Sequence, residues 1–571
     1  MSIAVQDNGV LHKYAILGRL EQAGEQQELL VRLQDLCAGG AATALELDFY
    51  DADTLPGAVI ESLADLLDRG VKLKIVAYHA LLSHSLMRLG LPVLPMSHQP
   101  PRAPRPRCKA LVLAGSAQSL DKILYIVGRL PPGDASVFIA QHVQEDQVNL
   151  LDKLLKVRTE YRVLMPQSLT PVESGVIYVA PPAHHMKVAH GLIYLTRDRK
   201  IQFARPSIDV LFESVAGEYG AEALAVLLCG YGQDGVAGCA ALKAAGASVI
   251  IEDSAECEPA CVLPDSARSA GAFDLVLKCP AITSVAAASI AGDAATPGGE
   301  WLELFLQAVQ SRYDYDFRGY QRDSLERRIR NAGRDFGLDG FADFQRAVLA
   351  EPPLFQRLLA EMSVGVSGFF RHPEQFRCLR EEILPYLTSF PLIKIWSAGC
   401  ATGEEAYSLA ILLEELGLLE KSRIFATDIN PYLLELAKSG LFPTEALAGS
   451  RENYLASGGT RYFDAYVTPG GHFLKADPRL REHILFYRHS LAHDGVFNEF
   501  QLILCRNVLI YFDAGLQKQV LQQCFVRSLH RDGFLLLGPQ DGLRHLALAQ
   551  GFAAYGRCGH FYRLRGEPAH A

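Results

Sequence analysis

Two rhythms run along this chain, and the places where both stop divide it into three. In the first block "ATALELDFYD" (42–51) and "VKLKIVAY" (71–78) are strand-like. "QQELLVRLQDL" (26–36) and "AVIESLADLL" (58–67) space their apolar residues at helical intervals. In the second block the near-continuous apolar runs "KALVLAG", "ASVFIAQ" and "EALAVLLCGYGQ" alternate with helical stretches. That alternation predicts a parallel sheet covered on both faces. In the third, "FPLIKIWSAGCATGEEAYSLAILLEEL" (390–416) is a strand, a glycine turn and a helix whose Leu409, Leu412, Leu413 and Leu416 share one face. The segment "SHQPPRAPRPR" carries four prolines and three arginines and reads as a stiff linker; "GDAATPGGE" is a second break. The expected organisation is therefore a small α/β domain over 1–96, a linker over 97–107 and a doubly wound parallel-sheet domain over 108–290. A second linker over 291–300 then leads to a helical subdomain over 301–385 and a nucleotide-type α/β domain over 386–571 with a small β insertion.

Polar chemistry begins where the apolar runs end. The three runs of the second block lead to Ser116, His142 and Asp234. Ligands bind at the carboxyl ends of parallel strands, so these three side chains are expected on one sheet edge. There an imidazole can deprotonate a serine while a carboxylate fixes its tautomer. Ser116 is then either a nucleophile or the cap of the helix that comes after it. In the third block Gly399 and Gly403 let the backbone pass close to a cofactor, and Asp428 ends the next strand. An acid at that place binds ribose hydroxyls, of a dinucleotide or of S-adenosylmethionine. The turn lacks GxGxxG and is succeeded by Glu404 and Glu405, which repel a pyrophosphate and suit a cationic methionyl group.

Composition narrows the field a little further. The 571 residues carry a net charge of −9, which gives no reason to expect nucleic-acid binding. No apolar run reaches the ~18 residues of a transmembrane helix, and the first residues lack the pattern of a signal peptide, so no membrane insertion is expected. Twelve cysteines are scattered, with only Cys257 and Cys261 close together. Free thiols in a cytoplasmic protein are the simpler expectation, with no metal site.

Resemblance adds to this reading, block by block. The first resembles the STAS domain of anti-sigma-factor antagonists and sulfate transporters, which implies a protein-interaction module. Its phosphorylatable turn corresponds here to "DTLPG", with Thr54 on the first serine position and Leu55 and Pro56 in place of the second serine and the glycine. Asp53 or Thr54 is otherwise expected to cap the next helix. The second block is similar to the catalytic domain of chemotaxis receptor methylesterases, through "AGSAQS", "LPPGDASVFIAQHV", "ESGVIYVAPPAHHMKV", "LLCGYGQDGVAGCAALKAAGA" and "LPDSARSAGAFDLVL". Ser116, His142 and Asp234 fall on that family's nucleophile, general base and orienting acid. Its nucleophile turn runs Gly-x-Ser-Thr-Gly-Gly, whereas Ser116 precedes Ala117, Gln118 and Ser119. Fewer backbone amides are then open to an oxyanion, and each lost donor costs ~10²–10³ in turnover in acyl-transfer enzymes. The first block shows no acidic pocket with a downstream lysine, so it is not expected to be a receiver domain.

The third block resembles the chemotaxis receptor methyltransferase through "SVGVSGFFRHPEQF", "SAGCATGEEAYS", "ATDINPYLLELAKSGLF" and "LILCRNVLIYF". The resemblance implies S-adenosyl-L-methionine as co-substrate, with Ser367 and Arg371 at its methionyl part, Glu404 at its amino-acid end and Asp428 on its ribose. It places Ser490 and Leu491 beside the adenine, Arg506 and Asn507 in the pocket and Tyr511 beside the transferred methyl. Gly365 and Ser490 stand where that family has asparagines. Arg327, Arg330 and Arg334 fall on one helical face, which the family presents to receptor helices. "YFDAYVTPGGHFLKA" reads as a hairpin insertion. The expected protein is a cytoplasmic chemotaxis-type enzyme that methylates receptor glutamates and hydrolyses the esters. Its expected partners are methyl-accepting chemoreceptor-type proteins, and a signalling protein through the STAS-like domain. The alternatives are a methyltransferase with a non-catalytic esterase-like domain, or a receptor-binding scaffold.

Overall fold

Strand-forming residues at the start of the chain build a mixed sheet in the computed structural model. It describes residues 2–7, 11–17, 27–33, 35, 44–49, 52, 55–77, 82–83, 86–87, 89–95, 108–143, 150–257, 259–292, 299–338, 340–363, 367–470, 473–542 and 544–564. They form two compact units: 1–100, 319–325 and 356–571 in one, 101–318 and 326–355 in the other. No helix among the described residues is long and apolar enough to cross a membrane.

In the first unit, strands β1 (Ser2–Asp7), β2 (Leu11–Leu17), β3 (Ala44–Phe49), β4 (Lys72–Ala77) and β5 (Val93–Pro95) pair in chain order. Only the β1–β2 pair is antiparallel. That N-terminal hairpin escapes the apolar pattern because its strands mix charged and apolar residues. Lys13 on β2 is held across the sheet by Glu46 at 2.7 Å and Asp48 at 3.0 Å. The helix Gly57–Asp68 starts at Pro56 with no side-chain cap; Asp53 and Thr54, the expected caps, lie outside the described residues. The fixed φ of Pro56 orders the entry to the helix without supplying a capping acceptor. The core of this sheet does not close on itself. Leu436, Leu441 and Phe473, from far along the chain, are buried in the same cluster as Leu47, Val59 and Leu63. Lys475 pairs with Glu61 at 3.1 Å beside them.

The second unit holds β6 (Ala110–Gly115), β7 (Ser136–Gln141), β8 (Arg162–Leu164), β9 (Thr170–Pro171), β10 (Val176–Val179), β11 (His185–Ala189), β12 (Leu192–Thr196), β13 (Ala223–Leu227), β14 (Ser248–Glu252) and β15 (Leu275–Leu277). Seven of them form a sheet in the order β15-β14-β13-β6-β7-β10-β8, parallel throughout. Every residue of β6, β7, β13 and β14 is buried. A strand covered on both faces has no solvent side on which to place polar residues, hence the unbroken apolar runs. The helix Cys279–Ala291 has Pro at its start, where the missing N–H costs nothing. Its alanine-rich length is buried almost all round, because the helices Gly299–Tyr313 and Phe341–Ala350 pack on it. Ser284 donates to Gln345 at 2.7 Å and Arg346 to Ser289 at 2.8 Å. The helices after the second break thus join the sheet domain before it. The first of them begins at Gly299, inside the stretch expected as linker.

The remainder of the first unit is a second doubly covered sheet. Its strands are β16 (Ile393–Ala398), β17 (Ser422–Asp428), β21 (Ile484–Arg488), β22 (Phe500–Cys505), β23 (Leu529–Leu537), β24 (Phe552–Tyr555) and β25 (Phe561–Leu564), in the order β21-β17-β16-β22-β23-β25-β24. The first five are parallel and β25 and β24 close the edge antiparallel. Strand order reverses between β16 and β22, the switch point at which such sheets open a crevice. The insertion is a three-stranded antiparallel sheet of β18 (Leu441–Pro443), β20 (Phe473–Ala476) and β19 (Val467–Pro469).

Candidate functional site

The first site is at the carboxyl edge of the seven-stranded parallel sheet. Ser116 comes directly after β6 and His142 after β7, and the His142 amide donates to Gly115 O at 3.0 Å, so the two lie on neighbouring strand ends. Asp234 sits beyond β13, in the loop that leads into the helix Val236–Ala244. Its carboxylate accepts from His142 Nε2 at 2.7 Å, Ser207 Oγ at 2.7 Å, Ile208 N at 2.7 Å and Asp209 N at 3.0 Å. Three of these donors belong to the start of the helix Ile208–Tyr219, whose dipole also favours a negative charge there. Burial pushes the Asp234 carboxyl up, but the bonds from His142, Ser207 and the two amides outweigh it and hold it below the usual range. Asp209 locks the same corner from the other side, accepting from Gly235 N at 2.8 Å and Gly238 N at 2.7 Å. Burial raises its carboxyl to about 6.

The nucleophile position differs from a simple triad. The Ser116 hydroxyl donates to Gln118 Oε1, and Gln118 N donates back to Ser116 Oγ at 3.3 Å. Among the described residues no hydrogen bond joins Ser116 to His142, so the structure pairs His142 with Asp234 and pairs Ser116 with Gln118. Ser116 also starts the 3₁₀ turn Ala117–Ser119, which makes it a cap as well. Behind it lies a polar group that sequence reading passed over. Ser116 N donates to Cys229 O at 3.0 Å, and Cys229 N donates to Glu252 Oε2 at 2.8 Å. Lys122 pairs with Glu252. The side-chain ligand atoms of Cys229, Glu252 and Cys257 lie within 4.8 Å of one another. The ammonium of Lys122, 3.9 Å from Cys257 Sγ, already supplies the positive charge in that group. Cys261 packs at the rim of the cluster.

The second site is the crevice of the other sheet. Asp428 ends β17; Oδ2 accepts from Ala401 N at 3.0 Å and Oδ1 from Asn430 N at 2.9 Å. One acid thereby ties the glycine turn to the end of the next strand. Burial raises its carboxyl above the usual value against the pull of those amides. A carboxylate has about four acceptor positions, so these bonds leave room for hydroxyls. Glu404 is buried at the first turn of the helix Glu404–Glu415 and accepts from Thr402 Oγ1 at 2.7 Å. Ser490 and Leu491 lie just beyond β21, whose Arg488 pairs with Asp428 in register, and Ser490 N donates to Asp494 Oδ2 at 2.8 Å. Asn507 lies just beyond β22 with φ 59°, and its amide donates to Asp541 Oδ2 at 3.0 Å. Glu404, Asp428, Ser490, Leu491, Arg506 and Asn507 thus share one carboxyl edge.

Arg506 is a departure from the expected pocket wall. It is buried, and its guanidinium is spent on Glu405 Oε2 at 2.9 Å, Gln375 Oε1 at 2.7 Å and the carbonyl of Arg371. Burial lowers its pKa despite the Glu405 charge beside it. The clamp draws the Arg371 segment against the sheet; Ser367 lies just before it, and Gly365 is outside the described residues. Gln375 is the part that sequence reading missed, because its partner is 131 residues away. Tyr511 ends the 3₁₀ turn Leu509–Tyr511, and its carbonyl accepts from Gln321 N at 2.8 Å. Arg327, Arg330 and Arg334 are exposed on the helix Arg322–Asp335.

Among the described residues, buried Asn507 Nδ2 and Asp541 Oδ1 have no protein partner. An unpaired polar atom of that kind costs roughly 1–3 kcal/mol. The acids Glu404 and Asp428 on this edge, one with acceptor positions left over, fit a nucleoside carrying a cationic amino-acid tail.

Comparison with known proteins assigns the helices that pack on Cys279–Ala291 to the same family as the sheet after them. Residues 365–553 match the family "CheR methyltransferase, SAM binding domain", 300–363 match "CheR methyltransferase, all-alpha domain", and 111–285 match "CheB methylesterase". The methyltransferase Cher3 of Pseudomonas putida is 43% identical over 251 residues, 44% of this chain and 92% of that protein. The chemotaxis protein methyltransferase of Listeria monocytogenes is 32% identical, over 42% of this chain and 88% of that protein. A 104.1 kDa protein of Rhodobacter capsulatus is 27% identical over 68% of this chain, which spans 44% of its length. The catalytic domain of Thermotoga maritima CheB methylesterase is 26% identical, covering 32% of this chain and 97% of that one, at a TM-score of 0.30. This protein is therefore an enzyme with a protein-glutamate methylesterase and a protein-glutamate methyltransferase domain in one polypeptide, and it belongs to the CheR methyltransferase family.

Proposed function

We propose that this chain writes and erases methyl esters on glutamate side chains of chemoreceptor-type proteins. The observation that carries the eraser half is the His142–Asp234 pair, fixed by three further bonds to Asp234, on the strand end next to Ser116. With His142 Nε2 directed to Asp234, Nδ1 is the basic nitrogen. In the reaction Ser116 Oγ attacks the ester carbonyl and its proton passes to His142, which returns it to the departing methanol. Water then hydrolyses the acyl-serine, with His142 again taking the proton. Asp234 stabilises the imidazolium and keeps its tautomer.

For the writer half, bound S-adenosylmethionine supplies an electrophilic methyl on a sulfonium. A glutamate carboxylate is anionic at neutral pH, so its attack requires no general base, only alignment and exclusion of water. Glu404 takes the amino-acid end, Asp428 the ribose, and Ser490 and Leu491 flank the base. Ser367 and Arg371 face the methionyl part and Tyr511 the reacting methyl, while Asn507 lines the pocket floor. Arg506 acts by holding Arg371 and Glu405. The exposed row Arg327, Arg330 and Arg334 suits an acidic receptor helix. The N-terminal sheet serves as a STAS-like protein-interaction module, and no metal takes part. The cytoplasm suits the eleven free cysteines of the described residues.

The test is methanol release from a receptor premethylated by an independent transferase, with wild type against Ser116→Ala. Release that disappears in the variant is the expected result. Equal release from both proteins removes the esterase mechanism and leaves a methyltransferase alone. Binding of S-adenosylhomocysteine by calorimetry tests the writer half separately.

A further inference from the structure

The residue that sets this nucleophile turn apart is also the one that touches the nucleophile. Gln118 accepts the Ser116 hydroxyl proton with Oε1 and donates its own backbone amide to Ser116 Oγ at 3.3 Å, so one residue uses the hydroxyl as both donor and acceptor. The proton that His142 would take is already bonded elsewhere. The other half of the machine is complete, with His142 on Asp234 at 2.7 Å and Asp234 on three more donors.

The serine cannot escape by moving its backbone. Its amide is bonded to Cys229 O at 3.0 Å, and its carbonyl accepts from Ser119 Oγ at 2.6 Å and Gln141 Nε2 at 3.3 Å. Gly230 is pressed so close that a Cβ there would lie 3.0 Å from Ser116 Cβ. The Gln118 side chain is different: Gln118 is exposed, and it can rotate away without disturbing the core. We propose that Gln118 is a latch on the esterase nucleophile. Its side-chain carbonyl holds the Ser116 hydroxyl off His142, and the esterase turns over only while that side-chain amide is swung aside. The proposal rests on the esterase reading above and makes Gln118 a positioning residue whose action is restraint.

The test reads the nucleophile directly, with a fluorophosphonate on the full chain. Ser116 Oγ forms a bond to phosphorus, fluoride leaves, and the hydroxyl proton passes to His142. Intact-mass spectrometry gives the labelling rate for wild type, Gln118→Met, Gln118→Gly and Gln118→Glu, with Ser116→Ala as background. Met keeps the length of the side chain and removes the acceptor, whereas Glu keeps the acceptor and charges it. The net worth of one hydrogen bond makes the expected gain about five- to tenfold for Met and Gly. A charged acceptor holds the hydroxyl more firmly, so Glu labels more slowly than wild type. A purely structural Gln118 would slow Met, Gly and Glu alike. Methanol release that depends on Ser116, with Met and Gly no faster than wild type, overturns the latch alone. Labelling at background in every variant overturns the latch and the esterase reading together.

Discussion

The two sites are built on one plan and shift their acids in opposite directions. Each places a buried carboxylate at or beyond the carboxyl end of a parallel strand, Asp234 after β13 in one and Asp428 ending β17 in the other. Asp234 receives four donors, one of them an imidazole, and is held below the ordinary carboxyl range. Among the described residues Asp428 is bonded by backbone amides and by no cation, and burial raises it. Burial alone does not decide ionisation; the count and kind of donors does. The acid that must stabilise an imidazolium is fully committed to its partners. The acid left with open lone pairs is the one proposed to take up a ligand.

The contrast can be broken at several points. The largest effect is expected from Asp234→Asn, which leaves the shape and removes the charge opposite His142. By analogy with other triads, Ser116-dependent methanol release falls by about 10⁴, while S-adenosylhomocysteine binding stays at the wild-type value. Asp428→Asn should do the reverse. Loss of charge-assisted bonds to hydroxyls weakens S-adenosylhomocysteine by about 10–100-fold in calorimetry, with esterase turnover unchanged.

A third experiment reads burial without ligand. Burial lifts the Asp541 carboxyl to about 6, against the amides of Asn507 and Gly538. An acid raised in the folded state takes up a proton on folding. Its cost is absent below the unfolded value near 3.8 and complete above about 6, so stability falls as pH rises across that window. The cost is about 2–3 kcal/mol. Asp541→Asn should flatten the dependence of melting temperature on pH between those limits; an unchanged slope assigns it to other groups. The smallest effect is expected from Ser207→Ala, which takes one of the four donors from Asp234. Its pKa rises, and turnover at neutral pH drops only a few-fold.

Strands with both faces covered were plain in the chain, because burial on two sides leaves no room for polar alternation. Once β6 and β7 were seen as neighbouring parallel strands, Ser116 and His142 had to share an edge. The glycine turn and Asp428 came from the same logic. Legibility ended where partners are distant in sequence or where a rotamer decides. Gln118 was visible only as a substitution, since nothing in a sequence says which way an exposed amide turns. The Gln375–Arg506–Glu405 clamp joins three elements, and the N-terminal hairpin hides behind a mixed pattern. The second break said least about packing. A glycine-rich stretch predicts a joint, but it does not say which neighbour the next helices choose.

That choice bears on how such a protein could ever be taken apart. The helix Cys279–Ala291 is nearly all alanine, serine and small aliphatic residues, and its cover comes from the helices Gly299–Tyr313 and Phe341–Ala350. A gene split at the glycine-rich stretch would leave an eraser with a sticky alanine face and a writer short of its support. The seam is thus core on both sides, and separating the domains there is expected to expose apolar surface on each part.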